Sequence, residues 1–123
     1  MKFIKTIAIS FLLFSSLQSC RDSDNISIKV VDNEDLYKYS AKFPRNKSHA
    51  VERFINNRIA PTYIKSDSDL DVTTILNDKT KFHYESSPGE LIIELDKTEN
   101  NTASYFRIKK MCEDLNRIVN PKK

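Results

Sequence analysis

The sequence predicts an α+β fold: a two-layer sandwich in which a mainly antiparallel sheet of about five strands carries two helices. The predicted order is strand, strand, helix, strand, strand, strand, helix. Three observations lead there. Five short segments between residues 26 and 96 read as strands, and two further segments, around residues 51–59 and 105–119, repeat apolar residues at helical spacing. The strands come in runs rather than alternating one by one with helices, which places the helices together on one face. The chain has 123 residues, and residues 26–123 are long enough for one such core.

Each element has a local reason. Ile26, Ile28 and Val30 alternate with Ser27 and Lys29, at strand period. Asp32-Asn33-Glu34-Asp35 is turn chemistry. Tyr37, Tyr39, Ala41 and Phe43 then alternate with Lys38, Ser40 and Lys42, so the two segments predict a hairpin. One of its faces is aromatic and buried. The other carries Lys29, Lys38 and Lys42.

Pro44 ends that strand, and Asn46 or Ser48 is expected to cap a helix. Val51, Phe54, Ile55 and Ile59 form its apolar stripe, and Ala60-Pro61 stops it. Glu52, Arg53, Asn56, Asn57 and Arg58 are expected to face solvent. Residues 66–69 read as an acidic loop. Leu70, Val72, Thr74 and Leu76 alternate in the third strand. Asn77-Asp78-Lys79 is a turn, and Phe82 and Tyr84 share one face of a short fourth strand. Pro88-Gly89 predicts a type II turn. Leu91-Ile92-Ile93-Glu94-Leu95 is the most apolar strand and so the candidate for the sheet centre.

The last helix starts near Asn101 or Thr102. Tyr105, Ile108, Cys112, Leu115 and Val119 make its stripe, with Met111 and Ile118 beside it. Lys109–Glu113, Lys110–Asp114 and Glu113–Arg117 are i,i+4 pairs expected on the outer face. Pro121 ends it.

Composition removes several classes of chemistry. Gly89 is the only glycine, which leaves no Gly-rich phosphate loop. Two Cys and two His build a four-ligand zinc site only if all four converge. G-x-S-x-G, H-E-x-x-H and Walker patterns are absent. Asp67, Asp69 and Asp71 alternate, but without the ligand pattern of an EF-hand. Nothing in the sequence selects two of the seventeen acids as a catalytic pair. His83 reads as a solvent-facing strand residue and His49 as an exposed residue of the first helical turn. Cys112 reads as a buried thiol, the alternative being a nucleophile beside His49 or His83, which needs an exposed, electropositive setting. No catalytic residue and no cofactor is expected.

The first twenty residues are different. Lys2 and Lys5 precede an uncharged, apolar run from Thr6 to Leu17, too short to span a bilayer. It ends in Leu17-Gln18-Ser19-Cys20. This resembles the signal peptide and lipobox of bacterial lipoproteins, and the resemblance covers residues 1–20 alone. It implies removal of residues 1–19, lipid attachment at Cys20 and a stable anchor, since several acyl chains each contribute ~0.8 kcal/mol per buried CH₂. Residues 20–25 then act as a polar tether. Arg21, directly after the cysteine, resembles outer-membrane rather than inner-membrane sorting.

Removal of residues 1–19 takes Lys2 and Lys5 and no acid, leaving a net charge of +1. A nucleic-acid partner is therefore unsupported. Charge is segregated along the chain: residues 25–65 carry +4, residues 66–101 carry −6 and residues 102–123 carry +4. The pattern is read first as basic and acidic segments neighbouring each other in the fold, and second as a field that steers an oppositely charged partner. Small size, an anchor, segregated charge and no catalytic motif suggest a non-enzymatic envelope lipoprotein that binds another protein, of inhibitor, immunity or neutralising type. Lys29, Lys38, Lys42 and Tyr63 are the candidate binding residues. Tyr63 is included because it stands outside any clear period. An accessory subunit of an envelope assembly is the alternative, and a small hydrolase ranks last. Oligomeric state is not readable.

Overall fold

The computed structural model describes residues 26–65 and 69–121. The lipobox, Cys20, the tether and Asp67 lie outside the described residues. The elements are β1 (Ser27–Asp32), β2 (Leu36–Lys42), α1 (Ser48–Ile59), β3 (Leu70–Ile75), β4 (Lys81–Ser87), β5 (Glu90–Asp96) and α2 (Thr102–Val119). The five strands form one sheet in the order β1-β2-β5-β4-β3, and every neighbouring pair is antiparallel. This is the predicted α+β fold.

The strand order differs from a plain meander. After α1 the chain enters the sheet at its far edge as β3 and works back, so that β5 closes against β2. β5 thereby takes the centre that its apolar run anticipated. Tyr37, Tyr39 and Ala41 of β2, Phe82 and Tyr84 of β4, and Leu91, Ile93 and Leu95 of β5 point to one face and are buried. Against them lie Val51, Ile55 and Ile59 of α1 and Ile108, Met111, Cys112, Leu115 and Val119 of α2. Both helices cover this face, because both carry their apolar residues in a single stripe.

The first helix starts differently from expectation. Neither Asn46 nor Ser48 caps it; Lys47 occupies the cap position and makes no side-chain capping bond there, its ammonium donating instead to the Ile118 and Val119 carbonyls. Ser48 Oγ instead accepts from the Gly89 amide at 3.0 Å, which ties the helix start to the β4–β5 turn. The second helix is capped by Asn101, whose side chain accepts from the Ser104 amide. Asn56 is not merely solvated, since it clamps both the N–H and the C=O of Ile64 at 2.7 and 2.8 Å. Asp114 is also not on an outer face. It is buried, with the Arg58 guanidinium 2.9 Å away and Lys110 at 3.3 Å. At the end of edge strand β1, Asp32 accepts from Lys97 at 2.7 Å and from the Tyr105 hydroxyl at 2.6 Å. Those two bonds hold its carboxyl below the usual carboxylate range.

Candidate functional site: the open face of the sheet

Helices cover one face of the sheet. Strand alternation then assigns every second residue to the opposite face, and the strand register says which of them meet. Lys29 of β1 stands opposite Ser40 of β2. Lys38 and Lys42 of β2 stand opposite Glu94 and Glu90 of β5. His83 of β4 stands opposite Glu94, and Glu85 opposite Ile92. Thr73 and Asp71 of β3 stand opposite His83 and Glu85. Among the described residues, no element covers this face.

The face is thus divided. Lysines occupy the β1–β2 half, and carboxylates predominate on the β5–β4–β3 half, where Lys81 of β4 is the one lysine among the described strand residues of this face. A shallow groove lined by Lys29, Lys38 and Lys42 runs along the first half. A second, lined by Asp69, Asp71 and Glu85, runs along the other. Glu90 and Ile92 border both grooves and mark the boundary. The segregation of charge along the chain therefore has two consequences at once. Oppositely charged segments neighbour each other at the β2–β5 seam, and each also presents its own charge outward.

The structure brings Lys29, Lys38 and Lys42 together and leaves Tyr63 elsewhere. Tyr63 is 69% exposed, as expected. However, it borders a depression with Glu52, Arg53, Asn56 and Asn57 of α1, on the helical side of the molecule. It and the lysines do not form one surface.

Sequence reasoning missed one grouping. His83 Nε2 lies 2.6 Å from Asp71 Oδ1 and 3.4 Å from Glu85 Oε2, while Thr73 Oγ1 lies 3.2 Å from Nδ1. The signal was available as a pattern. Asp71 and Thr73, like His83 and Glu85, occupy alternate positions of consecutive strands joined by a short turn. Only the register places the two pairs side by side.

The other candidates for chemistry do not converge. His49 is exposed at the start of α1, near Glu52 and Ser86. Cys112 is fully buried under the sheet, and burial pushes its thiol up to about 12. A thiolate nucleophile needs the opposite environment. Among the described residues, no helix is long and apolar enough to cross a membrane. Comparison of the chain with family models, with curated proteins and with solved structures finds no match.

Proposed function

We propose that the chain is a lipid-anchored, non-enzymatic protein-binding module of the bacterial envelope, and that its partner docks on the open sheet face. The lipobox resemblance at Cys20 supports the anchor, with the outer membrane favoured over the inner. The observation that carries the binding reading is the divided face itself. A sheet face that no described element covers, with lysines on one half and mainly carboxylates on the other, suits a partner of complementary, equally divided charge. Such complementarity steers encounter and fixes orientation more than it adds affinity.

The experiment is a crosslinked pull-down of the tagged, lipidated chain from its own cells. It is run beside two variants, Cys20→Ser and the triple charge reversal Lys29→Glu, Lys38→Glu, Lys42→Glu. A dominant partner weakened by loss of the anchor and lost on charge reversal supports the proposal. A partner retained by the charge-reversed chain moves the docking surface elsewhere. Absence of any specific partner in all three removes the binding reading. Co-capture of several membrane proteins in fixed proportion favours an assembly subunit instead.

A further inference from the structure

We infer that Asp71, His83 and Glu85 form a binding site for a divalent transition-metal ion of the zinc type, on the acidic half of the open face. The site offers one imidazole nitrogen and two carboxylate oxygens. These three ligand atoms all lie within 4.8 Å of one another. An imidazole in the set selects zinc-type ions over calcium and magnesium, which take all-oxygen ligation.

The backbone geometry is favourable. The three residues sit on two hydrogen-bonded strands, with Asp71 directly opposite Glu85 and His83 at the neighbouring position of the same face. Rigid strands hold ligands better than loops do. Two carboxylates directly opposed across a strand pair repel each other unless a cation stands between them. Glu94 faces His83 from β5 and adds further negative charge on the other side.

The distances fit as well. Ligand bonds of about 2.1 Å at a tetrahedral zinc put neighbouring ligand atoms about 3.4 Å apart. His83 Nε2 and Glu85 Oε2 already stand 3.4 Å apart. Asp71 Oδ1 must withdraw from 2.6 Å, and its side chain, 68% exposed, has room to turn. Thr73 Oγ1, at 3.2 Å from Nδ1, is the outer partner that orients the ring. A hydroxyl either donates to or accepts from that nitrogen, so it serves the tautomer that leaves Nε2 free to ligate. Three protein ligands leave a fourth position open to solvent, the arrangement of zinc sites that exchange a water or an incoming ligand. The inference does not rest on the protein-binding reading, since ion binding is measured without any partner.

The test is a Zn²⁺ titration of the untagged full chain, purified from its own cells in detergent, against a chromophoric chelator of known affinity. The variants are His83→Gln, Asp71→Asn and Glu85→Gln, with His49→Gln as control. Thermal unfolding of each variant without metal confirms that it is folded. The wild type is expected to bind one equivalent that His83→Gln loses. Asp71→Asn and Glu85→Gln should each weaken it at least tenfold, while His49→Gln matches the wild type. Imidazole nitrogen NMR should show Zn²⁺ shifting His83 and not His49. A hundredfold excess of Mg²⁺ should leave the equivalent in place. Three results overturn the inference: no saturable equivalent, undiminished binding by His83→Gln, or displacement by Mg²⁺. The last would reduce the site to a diffuse acidic surface, the second would place the bound ion away from His83, and the first would leave a histidine–carboxylate hydrogen bond with no ion.

Discussion

The Tyr39 hydroxyl donates a 2.7 Å hydrogen bond to the Asn116 side-chain oxygen, joining β2 to α2 across 77 positions of sequence. Tyr39 is fully buried in the middle of the sheet, so its one polar atom needs a partner there. The bond also fixes where the last helix crosses the aromatic floor. Tyr39→Phe keeps the ring and removes the donor, while Asn116, half-buried, can turn its amide to water. The expected cost is about 1 kcal/mol, read as a fall of roughly 4–8 °C in Tm for a domain of this size. An unchanged Tm would mean that water replaces the hydroxyl without loss.

Asp114 lies between the helices, and acid should expose that dependence. The Arg58 guanidinium, at 2.9 Å, holds its carboxyl below the usual carboxylate range, with Lys110 helping. A carboxyl lowered on folding stabilises the native state at pH values above its unfolded pKa, about 3.9. That stability disappears as pH falls through the lowered folded value. Asp114→Asn should therefore melt below the wild type at pH 7, and the gap should close as the pH is taken below about 4. Arg58 also stacks on Phe54, with its guanidinium carbon 4.5 Å from the ring centre. Arg58→Lys gives up the planar fork and the stack together, so it should lose stability despite keeping its charge. A pH-independent gap for Asp114→Asn would show that the loss is one of packing.

These two residues also mark what the sequence makes legible. The stripe from Tyr105 to Val119, the Asn101 cap and the Pro88-Gly89 turn follow from neighbours within a few positions, where helical period and turn chemistry decide. The central place of β5 follows from its unbroken apolar run. Asp114 misleads for the same local reason. With Lys110 four residues away it reads as a solvated pair, while its closest partner, Arg58, belongs to the other helix. The β2–β5 pairing is non-local in the same way, while His83 meets Asp71 within one hairpin whose register the sequence leaves open. Periodicity assigns each of these residues to a face, but the neighbour on that face depends on strand order and register. Lys29, Lys38 and Lys42 were legible as a group because a single hairpin carries all three.

At the alkaline end the core itself titrates. Burial pushes the Cys112 thiol up to about 12, and the Tyr84 hydroxyl likewise to about 12. Burial raises Tyr37 and Tyr39 further. Each of these groups is neutral when folded and ionises earlier when unfolded, so alkali favours the unfolded chain. The stability they confer is complete below the unfolded values, about 8.5 for Cys and 10 for Tyr. It is lost as pH rises from there through the folded values. Between pH 8.5 and 10 the slope should come mainly from Cys112, at about 1.4 kcal/mol per pH unit at most. Above pH 10 the three tyrosines should steepen it. Urea midpoints from pH 7 to 11 check this, with Cys112→Ala expected to flatten the first limb and spare the second. The native thiol should also resist a thiol reagent at pH 8 until the domain unfolds. Rapid labelling under native conditions would contradict the burial that underlies both expectations.

Gly89 is where a single methyl group should do the most harm. Its φ is +81°, the value that the third position of a type II turn requires and that a side chain resists. A Cβ at this position would come within 2.8 Å of the Phe43 carbonyl oxygen. That oxygen is backbone and cannot swing aside. The same turn is held from two directions, since the Gly89 amide donates to Ser48 Oγ at 3.0 Å and its carbonyl accepts from the Phe43 amide at 2.9 Å. Relief of the contact would therefore pull on the start of α1 and on the end of β2 together. Gly89→Ala should cost about 2–3 kcal/mol, the left-handed backbone and the forced shift each contributing. Pro88→Ala is the control. It changes the same turn but mainly frees the unfolded chain, at about 0.4–1 kcal/mol. Denaturant unfolding of the two variants separates the causes. A loss several times larger in Gly89→Ala assigns the cost to the contact with Phe43 and the positive φ, and equal losses would assign it to turn propensity alone.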